Sequence, residues 1–146
     1  MSIWTKIFGW LTPKTIKIHD EFFGILTVED GYFIGEKYFK PVNVSIALLV
    51  EGKKINAFQR DFFVELESRY ASLLPIAKTE FENEFKNWKP DFEIKDFEQE
   101  FTLISIDIPD KEDAEWSLGF ECIHDINHYF SIYFKQWNFL TIIIDG

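Results

Sequence analysis

The stretch that decides the fold is VNVSIALLVEGKKINAFQRDFFVEL, residues 42–66, in which the spacing of apolar side chains changes. From Val42 to Val50 apolar side chains recur at every second position, the pattern of a strand with one buried face. At Asn56 this alternation stops, and Gln59 three residues later completes the signature of a helix capping box. The stretch therefore predicts a strand followed directly by a helix.

The helix that begins here carries one long apolar stripe. Its members recur at spacings of four and three residues: Phe58, Phe62, Leu66, Tyr70 and Leu73. Proline lacks the backbone N–H that a helix interior uses, so Pro75 is expected to end or kink the helix. A second stripe follows, made of Ala77, Phe81, Phe85 and Trp88. We therefore predict one broken central helix that closes near residues 89–90.

Upstream of residue 42, two extended runs flank the dipeptide Asp-Gly at 30–31. Asp-Gly favours a tight turn between antiparallel strands because glycine adopts positive φ angles without strain. The corresponding register places Val28 opposite Phe33 and Phe22 opposite Phe39. Together with the strand after residue 41, these runs predict a three-strand meander.

Downstream of the helix, four extended runs predict a second meander, FTLISIDI, EWSLGFECIH, HYFSIYFKQW and FLTIIID. Residues 91–100 show neither strand nor helix periodicity and predict a loop or an irregular edge segment, and His19–Glu21 before the first hairpin predicts a loop. The order indicates an α+β fold in a single domain, residues 1–146. We expect an antiparallel β-sheet of about seven strands, strongly curved, with the broken helix packed on one face.

The sequence CIHDINH, residues 122–128, contains the only cysteine, two of the three histidines and a carboxylate. These are the residue types of a zinc site or a thiol catalytic centre. The stretch also fits a three-residue hairpin loop, in which Asp125 forms the turn and Asn127 adopts the left-handed conformation. That register puts His124 directly opposite His128. We interpret the stretch as a hairpin, since a metal would need further ligands.

The same register pairs Cys122 with Phe130 on the core face of the sheet. A buried thiol behaves as a small apolar group with a raised pKa, so it is a poor nucleophile. The opposite face carries small and polar residues, Ser117, Gly119 and Ser131 among them. We expect it to be the wetter face.

Sequence motifs for phosphate binding and for nucleophilic catalysis are missing from the chain, including GxGxxG, the P-loop and GxSxG. Glu80 and Glu84 lie one helical turn apart and could act as an acid/base pair. Carboxylates on a helix flank are usually solvated, and no neighbouring feature desolvates either of them. We therefore predict no catalytic residues, no metal site and no cofactor.

The first eleven residues are apolar and predict a short helix that docks Trp4, Phe8 and Leu11 on the domain. Lys6 interrupts them and no cleavage site follows, so a signal peptide is not expected. A weak membrane-surface anchor is the alternative. No apolar run approaches the length of a membrane span, and one cysteine suits a reducing compartment. We expect a cytoplasmic protein without a membrane span.

Negative charge is concentrated in one quarter of the chain. Residues 80–115 carry 13 acidic and 4 basic side chains, a net charge of −9 out of −10 for the whole chain. This charge would repel nucleic acid and attract a basic protein partner. The acidic candidates for contacting that partner are Glu80, Glu82, Glu84, Asp91, Glu93, Asp96, Glu98, Glu100, Asp110, Glu112, Asp113 and Glu115.

Large apolar side chains alternate with these acids: Phe81, Phe85, Trp88, Phe92, Phe97, Phe101 and Trp116. Charge steers an encounter between proteins, whereas buried aromatic groups supply the binding energy. Some of these aromatic groups must belong to the core, and the sequence does not separate the two sets. The combination predicts an acidic, aromatic-rich surface for protein binding.

Two stretches carry a resemblance to a known group of proteins, HDEFFGILT at residues 19–27 and WSLGFECIHDINHYFSIYFKQWNFLTIIIDG at residues 116–146. They resemble immunity proteins of contact-dependent growth inhibition and polymorphic toxin systems. The resemblance implies a cytoplasmic bacterial protein, often acidic against a basic nuclease toxin, and it implies no catalytic residues.

Taken together, these features predict a non-enzymatic binding protein, most concretely an immunity protein that neutralises a basic toxin. One alternative is a small enzyme or a curved sheet that encloses a small molecule in an aromatic-lined pocket. Another is a structural module that forms a homodimer through an exposed strand edge.

Overall fold

The computed structural model describes residues 16–146, so the helix predicted for residues 1–11 lies outside the described part. Within it, the strands are β1 (Lys17–Asp20), β2 (Gly24–Val28), β3 (Tyr32–Phe39), β4 (Val44–Glu51), β5 (Phe101–Ile108), β6 (Glu115–Cys122), β7 (Tyr129–Lys135) and β8 (Asn138–Asp145). The helices are α1 (Ala57–Phe85) and the single turn α2 (Phe97–Glu100), and Lys40–Val42 forms a 3-10 turn.

The strands form one mixed sheet in the order β1 to β8. Neighbouring strands are antiparallel except β4 and β5, which pair in parallel with Leu48 beside Ile106. The expectation of an antiparallel sheet is therefore wrong at this one step. Helix α1 runs back along the sheet and returns the chain to the end where β4 began, so β5 must run in the direction of β4. Within residues 16–146, β1 and β8 form the two edges and the sheet is open.

Helix α1 is continuous over 29 residues, with Pro75 inside it, so the predicted break is wrong. A proline removes one backbone hydrogen bond, whereas packing of an apolar face stabilises the whole helix. Pro75 is exposed, and Leu73 and Ala77 on either side of it are buried. The two predicted stripes therefore form one continuous face that is buried from Phe62 to Phe85, whereas Trp88 lies beyond the end of α1 and is exposed.

The start of α1 confirms the capping box. The Asn56 side chain accepts a hydrogen bond from the Gln59 backbone N–H at 3.0 Å, and the Gln59 side chain accepts one from the Asn56 N–H at 3.1 Å. Gln59 also donates its side-chain N–H to the Glu51 carbonyl at 2.6 Å, which ties the helix to the end of β4. The sequence thus sets where the helix begins and how it leaves the sheet.

The first hairpin is confirmed in part. Val28 pairs with Phe33 as predicted, and Gly31 has φ 86°. Phe22 does not face Phe39, because β2 begins only at Gly24.

The additional strand β1 comes from the stretch that predicted a loop. Asp20 accepts the N–H groups of Phe22 and Phe23 at 2.9 and 2.8 Å and so forms the turn between β1 and β2. Arg60 of α1 pairs with the same carboxylate at 3.3 Å. Ile18 is the only apolar residue of this edge strand, so β1 has no alternation of apolar and polar side chains that would predict a strand.

The face of the sheet opposite α1 is less wet than predicted. Ser105, Ser117 and Ser131 are each 0% exposed. On β7, Ser131 lies between two tyrosines, Tyr129 and Tyr133, whose larger side chains point to the same face. Small residues at the centre of this face are therefore shielded despite their polarity.

Candidate functional site

The acidic candidates do not form one surface, because they lie at opposite ends of β5. Residues 80–100 occupy the end of α1 and the segment that leads into β5, and residues 109–115 follow the far end of that strand. Eight residues of β5 separate the two groups by a strand length of about 25 Å. The acidic surface predicted for residues 80–115 is therefore divided into two parts.

We call the first part the acidic end. It comprises the following residues at the C-terminus of α1 and in the segment before β5: Glu80, Glu82, Glu84, Asp91, Glu93, Asp96 and Glu98. Asp91, Glu93, Asp96 and Glu98 are exposed. Residues 80–100 carry eight acidic and three basic side chains in total. The acidic end is thus a strongly negative surface.

The aromatic residues of this region divide clearly between core and surface. Phe81, Phe85, Phe97, Phe101 and Trp116 are buried in the core, Phe92 is half-buried, and Trp88 is 48% exposed. Trp88 packs against the Phe85 ring at 5.2 Å between ring centroids, and Phe92 stacks on the same ring at 4.4 Å. Phe85 therefore supports an exposed indole at the acidic end.

Glu100 differs from the other acidic candidates because it is buried, with 8% of its surface exposed. Its Oε2 accepts the N–H groups of Lys95 and Asp96 at 2.8 and 2.6 Å, and its Oε1 lies 2.5 Å from His124 Nε2. Burial raises the pKa of Glu100, but the Asp96 N–H, the His124 side chain and the Lys95 N–H outweigh burial and leave the pKa below its ordinary value. Glu100 is therefore an internal anchor, and little of its side chain is exposed for contact with a partner.

Glu82 has a second internal role at the acidic end. Its Oε2 accepts the Ile94 N–H at 2.8 Å, and its Oε1 pairs with Lys86 at 3.5 Å. Ile94 is itself buried. Glu82 and Glu100 thus fasten the segment that carries Asp91 and Glu93 to α1 and α2.

The β6–β7 turn also holds this segment in place. His124 contacts the Phe92 ring edge-to-face at 5.1 Å as well as Glu100. Its predicted partner His128 instead contacts Asp125, with Nδ1 2.7 Å from Oδ2. The two histidines are thus not a cross-strand pair.

The predicted register of this hairpin is wrong by two residues. Glu121 pairs with Tyr129 and Phe120 with Phe130, so residues 123–128 form a longer loop than predicted. Asn127 is not left-handed, since the positive-φ residues other than glycine in the described chain are Asn43 and Gln136. A shift of two residues keeps every side chain on its predicted face, because side chains alternate with period two.

Cys122 remains on the core face and is 3% exposed. Burial raises the pKa of its thiol, as expected from the sequence. In residues 16–146, no group of three or more His, Cys, Asp or Glu side chains is positioned to hold a metal ion.

The second part of the acidic region borders a cleft of about 270 Å³ between the N-terminal half of α1 and the hairpin loops of β5–β6 and β7–β8. We call it the aromatic cleft. It is lined by Phe58, Asp61, Phe62, Glu65, Pro109, Glu112, Trp116, Gln136 and Trp137. Of the predicted acidic candidates only Glu112 lines it, while Asp110, Asp113 and Glu115 are exposed around the same loop.

Trp137, Asp61 and Glu65 were not predicted as site residues. These three residues line one cleft because α1 contacts the β7–β8 hairpin, although the two are more than fifty residues apart in the chain. The stacking of Phe62 on Trp137, 5.3 Å between centroids with 10° between planes, creates this contact. Local sequence patterns carry no signal for such a pairing.

Comparisons of the chain with protein families, with characterised proteins and with solved structures find no significant match. Among residues 16–146, no helix is both long enough and apolar enough to cross a membrane.

Proposed function

We propose that this chain is a non-enzymatic binding protein that recognises a basic partner protein through the acidic end. The observation that carries the proposal is the 48% exposure of Trp88 at the acidic end, where residues 80–99 carry seven acidic and three basic side chains. Exposed indoles are common anchors of protein interfaces, and the surrounding charge selects basic partners.

The fastening of the acidic segment supports this proposal. Glu82 and Glu100 hold the backbone at Ile94, Lys95 and Asp96 through hydrogen bonds of 2.6 to 2.8 Å. A segment that is already ordered loses less conformational entropy when it binds. Charge would speed association, and burial of Trp88 would slow dissociation.

Most concretely, we propose an immunity protein that acts in the cytoplasm and neutralises a basic toxin domain. The resemblance of residues 19–27 and 116–146 to such proteins agrees with this role. We favour it over a small molecule in an aromatic-lined pocket because the aromatic cleft, at about 270 Å³, is smaller than the range of about 300–1,000 Å³ typical of ligand pockets. A larger cleft of about 590 Å³ beside Glu82 and Asp91 has a single aromatic residue, Phe92, in its lining.

Affinity capture from an extract of the producing organism tests this proposal. Three baits are compared at low salt: the wild-type chain, an acidic-end variant with Asp91, Glu93 and Glu98 changed to Lys, and a control variant with Glu21, Asp30 and Glu36 changed to Lys. All six positions are exposed, and both variants change the net charge equally.

We expect a basic protein that the wild-type and control baits retain and the acidic-end variant does not. That protein should inhibit growth when it is produced alone and not when this chain is co-produced. Capture of the same proteins by all three baits, or the absence of a basic partner, would contradict the proposal.

A further inference from the structure

The aromatic cleft combines a rigid aromatic wall with negative charge. Trp116 is buried and donates its indole N–H to the Gln136 carbonyl at 2.6 Å, while its ring lies 5.4 Å from that of Trp137. Phe62 packs against both indoles. Since these rings fix one another, the wall is preorganised for a ligand.

Three carboxylates line the cleft, those of Asp61, Glu65 and Glu112, and the lining contains no basic side chain. In the described chain, the side chains of Asp61 and Glu112 have no hydrogen-bond or ion-pair partner. An aromatic face together with carboxylates suits a cation that also has a flat apolar surface.

Arg69 shows how such a cation is bound. Its guanidinium carbon lies 4.6 Å from the centre of the Trp137 ring, and its Nη2 lies 3.7 Å from Glu65 Oε1. The side chain of Arg69 is 47% exposed. Arg69 does not line the cleft, but two lining residues, Trp137 and Glu65, already bind its guanidinium group at the margin of the cleft. The carboxylates of Asp61 and Glu112 are left for a second cation.

We propose that the aromatic cleft is a binding site for an arginine side chain on the surface of a partner protein. The planar guanidinium stacks on indole rings and donates paired hydrogen bonds to carboxylates, which a lysine ammonium cannot do in the same geometry. At about 270 Å³ the cleft admits a single side chain. This inference goes beyond the proposed function, since the cleft and the acidic end lie at opposite ends of β5.

The test uses the whole chain, labelled with ¹⁵N, and N-acetyl-L-arginine amide as the probe. Titration is followed by the indole N–H resonances of Trp116 and Trp137. We expect saturable shifts at these two indoles, with a dissociation constant on the order of millimolar. The neutral isostere N-acetyl-L-citrulline amide and the lysine analogue should bind more weakly.

Three single variants, with a matched control, separate this site from general charge attraction. Asp61→Asn and Glu112→Gln should each weaken binding about two- to fivefold, the effect of one exposed ion pair. Arg69→Gln should strengthen binding, because it removes the competing guanidinium from Trp137 and frees Glu65. Glu93→Gln, at the acidic end, should leave binding unchanged.

The Arg69→Gln result is the most diagnostic, since damage to the fold would weaken binding instead of strengthening it. Equal binding of the citrulline amide, shifts outside the cleft, or unchanged affinity in Asp61→Asn and Arg69→Gln would overturn the inference. If the acidic-end variant no longer captures the partner but still binds the arginine probe, the inference about the aromatic cleft is supported. Arginine binding without any basic partner would refute only the proposed function.

Discussion

Replacement of Glu100 by alanine tests how the acidic end is held in place. The change removes hydrogen bonds from the N–H groups of Lys95 and Asp96 and the contact with His124. Hydrogen bonds to charged groups contribute about 1.5–3 kcal/mol each, but Lys95 and Asp96 are exposed and their N–H groups can regain water. We therefore expect a loss of about 3 kcal/mol in the free energy of unfolding.

The matched control is Glu98→Ala, in the same short helix but at an exposed position. It should change the free energy of unfolding by less than about 0.5 kcal/mol. Urea denaturation followed by tryptophan fluorescence measures both variants, and hydrogen exchange should show faster exchange at the Lys95 and Asp96 amides in Glu100→Ala alone. If the two variants have the same stability, Glu100 does not anchor the acidic end.

Three further predictions concern the hydrogen-bonded carboxylates, the buried thiol and the helix cap. The pKa values of Glu100 and Asp20 are lowered in the folded chain, so their stabilisation should be complete above about pH 4.3 and lost as the pH falls through the folded pKa values. Glu100→Gln should flatten the dependence of unfolding free energy on acidic pH. Cys122 should react with a thiol reagent only after unfolding, and rapid reaction of the native chain would contradict its burial. Asn56→Ala should cost about 1 kcal/mol in a denaturation experiment through loss of the capping box, whereas Asn83→Ala at an exposed helix position should cost much less.

Local periodicity predicts most of the elements of this fold. The change of period near Asn56 locates the start of α1, and the alternation in β4 to β8 assigns residues to faces. Even the hairpin around residues 123–128, wrong in register by two, keeps Cys122 on the core face. Face assignment survives such a shift because it depends only on odd or even position.

Contacts between segments that are far apart in the chain could not be predicted from the sequence. The parallel pairing of β4 with β5 depends on the direction in which α1 returns the chain. The difference between Glu98 and Glu100 depends on contacts with His124, which belongs to another hairpin. Composition located the acidic region correctly, but only the course of β5 divides it into the acidic end and the border of the aromatic cleft.

The most direct test of the proposed function is the association rate constant with the captured basic partner, measured by stopped-flow fluorescence as a function of salt. Relative to the wild-type chain, the variant with Asp91, Glu93 and Glu98 changed to Lys should associate at least about tenfold more slowly at low salt and should lose most of the salt dependence. The control variant at Glu21, Asp30 and Glu36 should stay within about twofold of the wild type. Equal rates for the two variants at low salt would show that the acidic end does not direct binding.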